Sequence, residues 1–438
     1  MSMKEFDKII GYSAIKKELE QIADILKNGE VYTKLGVSAP RGLLLHGAPG
    51  LGKTLMACCL IKASGRKHFV CRKNKPNGDF VKHIKQVFNK AAENAPSIVF
   101  LDDMDKFANG DERHRDAEEY VTVQSCIDEI KGKDVFVLAT ANNLKNLPKS
   151  LLRVGRFDRT IEVSAPTGID AIQIVDHYLK GKHFVADIDA KWISRVLNGR
   201  SCAELETVIN EAGLYAGYER SEYITMDHFM EACMRTIFDV PAKSFDNDDE
   251  DWYANLHNGN CASSQLVYHE VGHAVIAEVL IPESVTLVSA HGRKGSSSGF
   301  TAIYQDESVE PAKWRKGHII GSLGGMAAIE QKFGISDSGN QCDLDMAFDS
   351  VRKMVADECS CGFSLHSRGF DDSDDLMKRQ EQAVATEVEK YYRKAKEIIS
   401  KNWEFFEKLA AELAKKKLLN TADIQRIKAE CKITSVAV

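Results

Sequence analysis

No run of apolar residues in this sequence approaches the length of a membrane span, about 18 residues or more. Even Val135 to Leu144 stops at about ten, so no helix of the chain is expected to cross a bilayer. No apolar leader follows the opening MSMKEFDKII, which speaks against a secretory signal. Basic charge is not in excess: 58 Lys and Arg stand against 64 Asp and Glu, a net charge of -6. That balance lacks the electrostatic footprint of a nucleic-acid binder. The eleven cysteines are scattered, odd in number and without a C-x-x-C pair, since Cys359 and Cys361 are spaced C-x-C. This pattern points to reduced thiols in a cytoplasmic protein rather than to a disulfide framework. Internal repeats and low-complexity segments are also missing.

What is present is ordinary globular material, 44% hydrophobic and 28% charged over 438 residues, enough for two domains or three. From about residue 5 to 240, the strand-like runs RGLLLHG, SIVFLDD and DVFVLATAN alternate with helical patterns. Continuous apolar strands between helices predict a parallel sheet covered on both faces, an α/β domain. Near Val240 the chain turns acidic and strand-free in PAKSFDNDDEDWYANLHNGN, a linker. Beyond it the pattern is mostly helical, including MKRQEQAVATEVEKYYRKAKEIISKNWEFFEKLAAELAKKK, with one short strand expected in SSSGFTAIY.

The stretch GAPGLGKT (Gly47, Ala48, Pro49, Gly50, Leu51, Gly52, Lys53, Thr54) fits G-x-x-x-x-G-K-[ST] between an apolar strand and a helix. Glycines let such a loop curl so that backbone N–H groups surround phosphate oxygens at a helix N-terminus. Lys53 then reaches the outer phosphates of ATP, and Thr54 a Mg²⁺ ion. About fifty residues on, SIVFLDDMD ends a strand in Asp102, a candidate Mg²⁺ partner, and Asp103, a candidate for polarising the attacking water. Asn142, after DVFVLATA, could orient that water or sense the terminal phosphate; as a helix cap it would need no such role. LLRVGRFDR clusters Arg153, Arg156 and Arg159, which by spacing alone fits a solvated face.

HEVGH, His269 to His273, places two imidazoles one helical turn apart, where both can bind one zinc ion. Glu270 is next to them and can take a proton from the attacking water. By composition an accidental H-E-x-x-H is expected only about 0.03 times in a chain like this. No H-x-x-G-x-x-H extension follows, so spacing leaves the third ligand open.

Taken in order, GAPGLGKT, SIVFLDDMD, ATAN, LLRVGRFDR and GRSCAELETVINEAGLYAG resemble the ATPase module of the AAA+ superfamily. With YHEVGHAVI after it, the chain resembles the FtsH-type ATP-dependent zinc metalloproteases over about residues 5 to 425. The resemblance implies an α/β AAA+ subdomain at 1–165, a helical lid at 166–240, a linker at 241–260 and a mostly α-helical zinc metallopeptidase domain at 261–438. It implies a homohexamer in which Arg156 and Arg159 enter the neighbouring subunit's nucleotide site. The match of QCDLDMAFDSVRKMV to a family segment implies Asp343 as the third zinc ligand. SGFTAIY resembles the edge strand beside the zinc, on which an extended peptide can lie. The function implied is unfolding and translocation of unfolded or tagged proteins through a ring, with hydrolysis of their peptide bonds.

Departures from the family narrow this. The chain starts almost at the ATPase domain, without membrane helices. Asp103 stands where the family has a glutamate. GGMAAIEQ carries Ile329 in place of an acid, which rules Ile329 out as a ligand. The substrate-gripping pore triplet falls on Lys75, Pro76 and Asn77, none aromatic, with Phe80 as a nearby substitute. An alternative is therefore a ring in which ATP serves assembly or gating, and the zinc site cleaves short or unfolded chains. A third reading is a remodelling ATPase that keeps HEVGH as structure.

Overall fold

The runs GLLLH, SIVFL and VFVLATA become three of five strands, β1 (Gly42–His46), β2 (Lys67–Cys71), β3 (Ser97–Leu101), β4 (Val135–Ala141) and β5 (Arg159–Glu162). The structure is a computed structural model and describes residues 4–74, 76–108, 117–153, 155–186, 188, 190–241, 252–292, 299–304, 311–336, 341–366 and 373–437. All pairings are parallel, in the order β2-β3-β4-β1-β5. β3 and β4 are buried along their whole length, as two-sided coverage demands. The sequence reading lacks β2 and β5 because both are edge strands. KHFVC and RTIE leave most of their residues to solvent and so carry little apolar signal.

This sheet belongs to the first of two compact units, Met1–Phe184 with Leu197–Ile224; the second is Val185–Val196 with Thr225–Val438. The acidic linker lies largely outside the described residues. In the first unit the helix Asn77–Glu93 turns Phe80, Ile84, Val87, Phe88 and Ala91 inward at helical spacing. Phe80 is fully buried, its ring edge-on to Phe107 with centroids 4.9 Å apart. The expectation that Phe80 replaces a pore aromatic is thereby corrected. It is the first residue of a core face, and exposing it would open that core.

The second unit is built around the helix Ala262–Leu280, in which every residue from Glu270 to Leu280 is buried. A helix apolar all round has to be packed on all sides. Helices Gly324–Phe333, Trp403–Lys416 and Pro311–Ser322 surround it, with a three-stranded antiparallel sheet. That sheet has β6 (Val285–Ser289) between β7 (Phe300–Ile303) and β8 (Leu418–Asn420). β6 escapes the sequence reading because a short apolar run directly after a buried helix looks like more helix. The long helical pattern near the C-terminus breaks at Asn402 into Asp374–Lys401 and Trp403–Lys416. Asn402 is buried, and its amide bonds the carbonyl and the N–H of Thr434 at 3.1 and 2.8 Å. All eleven cysteines are free thiols. Among the described residues no helix is long and apolar enough to cross a membrane.

Two features fix the central helix. At its C-terminal end the fully buried Glu278 accepts from Val285 N–H, Gln425 and Lys428 at 3.0, 2.9 and 2.8 Å, which compensates its charge. At its middle Gly272 meets Gly324 of the neighbouring helix. A Cβ on Gly272 would lie 2.7 Å from the Ala328 Cβ, and one on Gly324 would lie 2.8 Å from the Gly272 carbonyl oxygen. Backbones can approach this closely only where side chains are missing. Gly272→Ala is therefore expected to lower stability by about 1–3 kcal/mol through overpacking. A urea unfolding midpoint unchanged from wild type would contradict this packing.

Candidate active site

The first unit carries one site at the carboxyl ends of its parallel strands, where open α/β sheets bind ligands. The loop Gly47–Thr54 links β1 to the helix Lys53–Ser64. Gly47, Gly50 and Gly52 have φ of 145, 78 and 87°, and a Cβ on Gly47 would overlap the Val163 carbonyl. The glycines are thus required by conformation and by crowding. Lys53 is buried and donates to the Gly47 and Ala48 carbonyls at 2.7 and 2.6 Å. Burial draws its ammonium below the ordinary lysine range, partly offset by Asp103 and Asp105.

Asp102, buried at the end of β3, accepts from the Thr54 hydroxyl at 3.2 Å and the Thr140 hydroxyl at 2.8 Å. The loop threonine and the strand acid expected to share a Mg²⁺ ion therefore stand side by side. Asp103 follows with a left-handed φ of 53°, its N–H on Thr140 Oγ1 and its carboxylate paired with Lys106 at 2.8 Å. The Asn142 N–H donates to Asp105 at 3.0 Å, which holds the end of β4 against the same corner. Gly50 is also met by the start of the helix Cys202–Tyr218, through Ala203 N–H to Gly50 O at 3.1 Å. The arginines lie elsewhere in the unit. Arg156 is taken up locally, donating to Gln124 at 3.0 Å, to the Ser150 carbonyl at 2.7 Å and to Asp128 at 2.8 Å. Arg159 begins β5 and is exposed.

The second unit carries the other site. His269 and His273 face the same way, one turn apart, with their Nε2 atoms 3.0 Å from each other. Asp343, in the first turn of the helix Gln341–Ala356, places Oδ2 3.2 Å from His269 Nε2 and 3.3 Å from His273 Nε2. Among the described residues this is the one group of three metal-type ligands whose donor atoms converge. Tetrahedral zinc with bonds of about 2.05 Å separates its ligand atoms by about 3.3 Å. The observed triangle has nearly these edges, so the residues fit the ion. Burial alone would push the Asp343 carboxyl up. Hydrogen bonds and charge from the two imidazoles outweigh it and hold the group well below the usual carboxylate range.

The surroundings fix these ligands. His273 Nδ1 lies 2.7 Å from the Gly321 carbonyl, which as an acceptor fixes the tautomer that frees Nε2 for metal. A Cβ on Gly325 would overlap the His269 ring, so the glycine is the floor beneath that imidazole. Glu270, 3% exposed, accepts from the Thr301 hydroxyl of β7 at 3.0 Å. Burial raises its carboxyl above the ordinary value, opposed by the imidazole charges. A Cβ on Gly299 would lie 2.9 Å from Glu270 Cγ. Gly299 and Thr301 lie in SGFTAIY and Gly325 in GGMAAIEQ, but their individual roles, like that of Gly321, escape the sequence reading. For Asp343 a signal exists: Asp343, Ala347, Val351 and Val355 recur every four residues, and the last three are buried. The acid thus shares a core-facing stripe.

Comparison with known proteins finds two family matches along the chain. Residues 43–165 match the ATPase family associated with various cellular activities (AAA), and residues 260–427 match peptidase family M41. An ATP-dependent zinc metalloprotease FtsH 2 of Symbiobacterium thermophilum is 30% identical over 96% of this chain and 74% of that protein. One from Petrotoga mobilis with the same name is 29% identical over 96% of this chain and 70% of that protein. An ATP-dependent zinc metalloprotease FtsH of Mycoplasma mobile is 28% identical over 99% and 64%. With an AAA segment followed by a peptidase M41 segment, and matched along nearly its whole length, this chain belongs to the FtsH family of ATP-dependent zinc metalloproteases.

Proposed function

We propose that the chain is one subunit of a cytoplasmic homohexameric ring that uses ATP to feed unfolded or tagged proteins to internal zinc sites. The convergence of one ligand atom each from His269, His273 and Asp343 carries the peptidase half of this reading. Zinc held there supplies Lewis-acid polarisation of the scissile carbonyl and of the attacking water. Glu270 is the general base: its Oε takes the water's proton and passes it to the leaving amine. Burial gives that carboxylate the higher proton affinity such a role requires, and Thr301 keeps it aimed. β7 is an edge strand beside Glu270, so an extended peptide can add to it by main-chain pairing, presenting its bond to the site.

In the nucleotide site the N–H groups of Gly47 to Thr54 surround the phosphates and Lys53 balances their charge. Thr54 and Asp102 hold Mg²⁺, Asp103 positions the water, and Asn142 senses the terminal phosphate. Exposure of Arg159 at the start of β5 supports reading it as the residue that acts on a neighbour's nucleotide in a closed ring. Arg156 would join it only by leaving Asp128, Gln124 and Ser150, so in its present place it shapes the loop that carries Arg159.

One observation favours the second reading, a gated peptidase with little unfolding power. The segment Arg72 to Asp79 contains no aromatic residue, and the nearest one, Phe80, is locked in the core. Grip on a folded substrate would then be weak. Wild type is expected to degrade a permanently unfolded protein with ATP. Failure on a stably folded, tagged protein would favour gating over unfolding.

Two sets of variants test the site. Glu270→Gln is expected to keep zinc at one equivalent per chain while degradation falls about 10²–10⁴-fold. His269→Ala is expected to lose both metal and activity. Zinc content and activity untouched in His269→Ala would reject the metal assignment. Arg159→Ala is expected to retain nucleotide binding and melting temperature but lose ATPase turnover about 10³-fold. Arg156→Ala is expected to lower the melting temperature as well. Full ATPase activity in Arg159→Ala would remove the residue from the mechanism.

A further inference from the structure

The buried carboxylate at the nucleotide site has a cationic partner that its proposed role does not use. Asp102 Oδ1 is occupied by the hydroxyls of Thr54 and Thr140. Oδ2 accepts from Arg72 Nε at 2.9 Å, and Arg72 Nη2 closes on the same oxygen. The sheet enforces this pairing: Cys71 is opposite Leu101 in the β2–β3 ladder, and the Asp102 N–H donates to the Cys71 carbonyl at 3.0 Å. Arg72 and Asp102 are therefore the next residues on adjacent strand ends. Their side chains differ in exposure, 62% for Arg72 and 2% for Asp102.

An ionised carboxylate beside a phosphate-binding loop repels a polyphosphate unless some cation intervenes. Ordinarily Mg²⁺ fills that role. Here the chain supplies a cation of its own, and because the Arg72 side chain is mostly in water, it can yield to the metal at small cost.

We infer that Arg72 is a nucleotide-site residue that neutralises Asp102 and so makes ADP and ATP binding by this chain only weakly dependent on magnesium. The inference rests on reading Gly47 to Thr54 as the nucleotide site. Arg72 is a positioning and charge-balancing group for Asp102 in the metal-free complex, and Asp102 is released to the metal when Mg²⁺ is present.

The test is equilibrium binding of ADP to the full chain by calorimetry, in EDTA and in excess Mg²⁺. For wild type the two dissociation constants are expected to agree within about fivefold. In Arg72→Ala the metal-free affinity is expected to fall about tenfold further, while affinity with Mg²⁺ changes by less than about threefold, which also reports an intact fold. Arg72→Lys, which keeps the charge, is expected to stay near wild type. An unchanged ratio in Arg72→Ala, or a lysine variant as weak as alanine without metal, would overturn the inference. Lys53→Ala separates the two levels. If ADP binding is insensitive to it, the nucleotide-site assignment falls and the inference with it. If binding needs Lys53 but the magnesium ratio does not depend on Arg72, only the inference falls.

Discussion

Two imidazole nitrogens and a carboxylate oxygen sit about 3 Å apart, and the second unit of the chain is arranged to keep them there. Such a triangle is unfavourable for free side chains, which would hydrate separately. It persists because the helix bearing His269 and His273 is buried at every residue from Glu270 to Leu280 and cannot turn. The contact of Gly272 with Gly324 brings the next helix close enough for Gly325 to support His269, and the Gly321 carbonyl fixes the tautomer of His273. At the far end of the same helix, Glu278 ties the turn into β6 and the C-terminal helix to one compensated charge. Rigidity of the ligands is thus a property of backbone approach, for which glycines are the instrument.

The nucleotide site follows a related logic with a different partner set. A single buried carboxylate, Asp102, gathers Thr54 of the glycine-rich loop, Thr140 of β4 and Arg72 just after β2. In both units a little-exposed carboxylate meets close partners, Asp102 through both oxygens and Asp343 through Oδ2. At the metal-type site the partners of the acid are two imidazoles. At Asp102 the partner is an arginine, which is always charged. The adjacent Asp103, one methylene shorter than the glutamate that the family resemblance implies there, is held in a left-handed turn and paired with Lys106.

Legibility in the sequence followed physical locality. β1, β3 and β4 were readable because full burial demands continuous apolar runs, whereas β2 and β5, half in water, left too weak a pattern. P-loop and HEVGH were readable because their chemistry needs fixed spacing along the chain. Asp343 lies some seventy residues from His273 and was reached only through family resemblance, although its four-residue register with Ala347 and Val351 marks the same helix face. Phe80 misleads because an aromatic near a pore segment looks the same in sequence whether it points inward or out. Arg72, Thr301 and the supporting glycines act through contacts between strands and helices, which no local spacing encodes.

The most direct measurement is zinc-edge X-ray absorption on the purified chain. The account predicts only nitrogen and oxygen neighbours at about 2.0–2.1 Å, with the multiple-scattering signature of two imidazoles. Sulfur neighbours at about 2.3 Å, or a shell without imidazole, would contradict it.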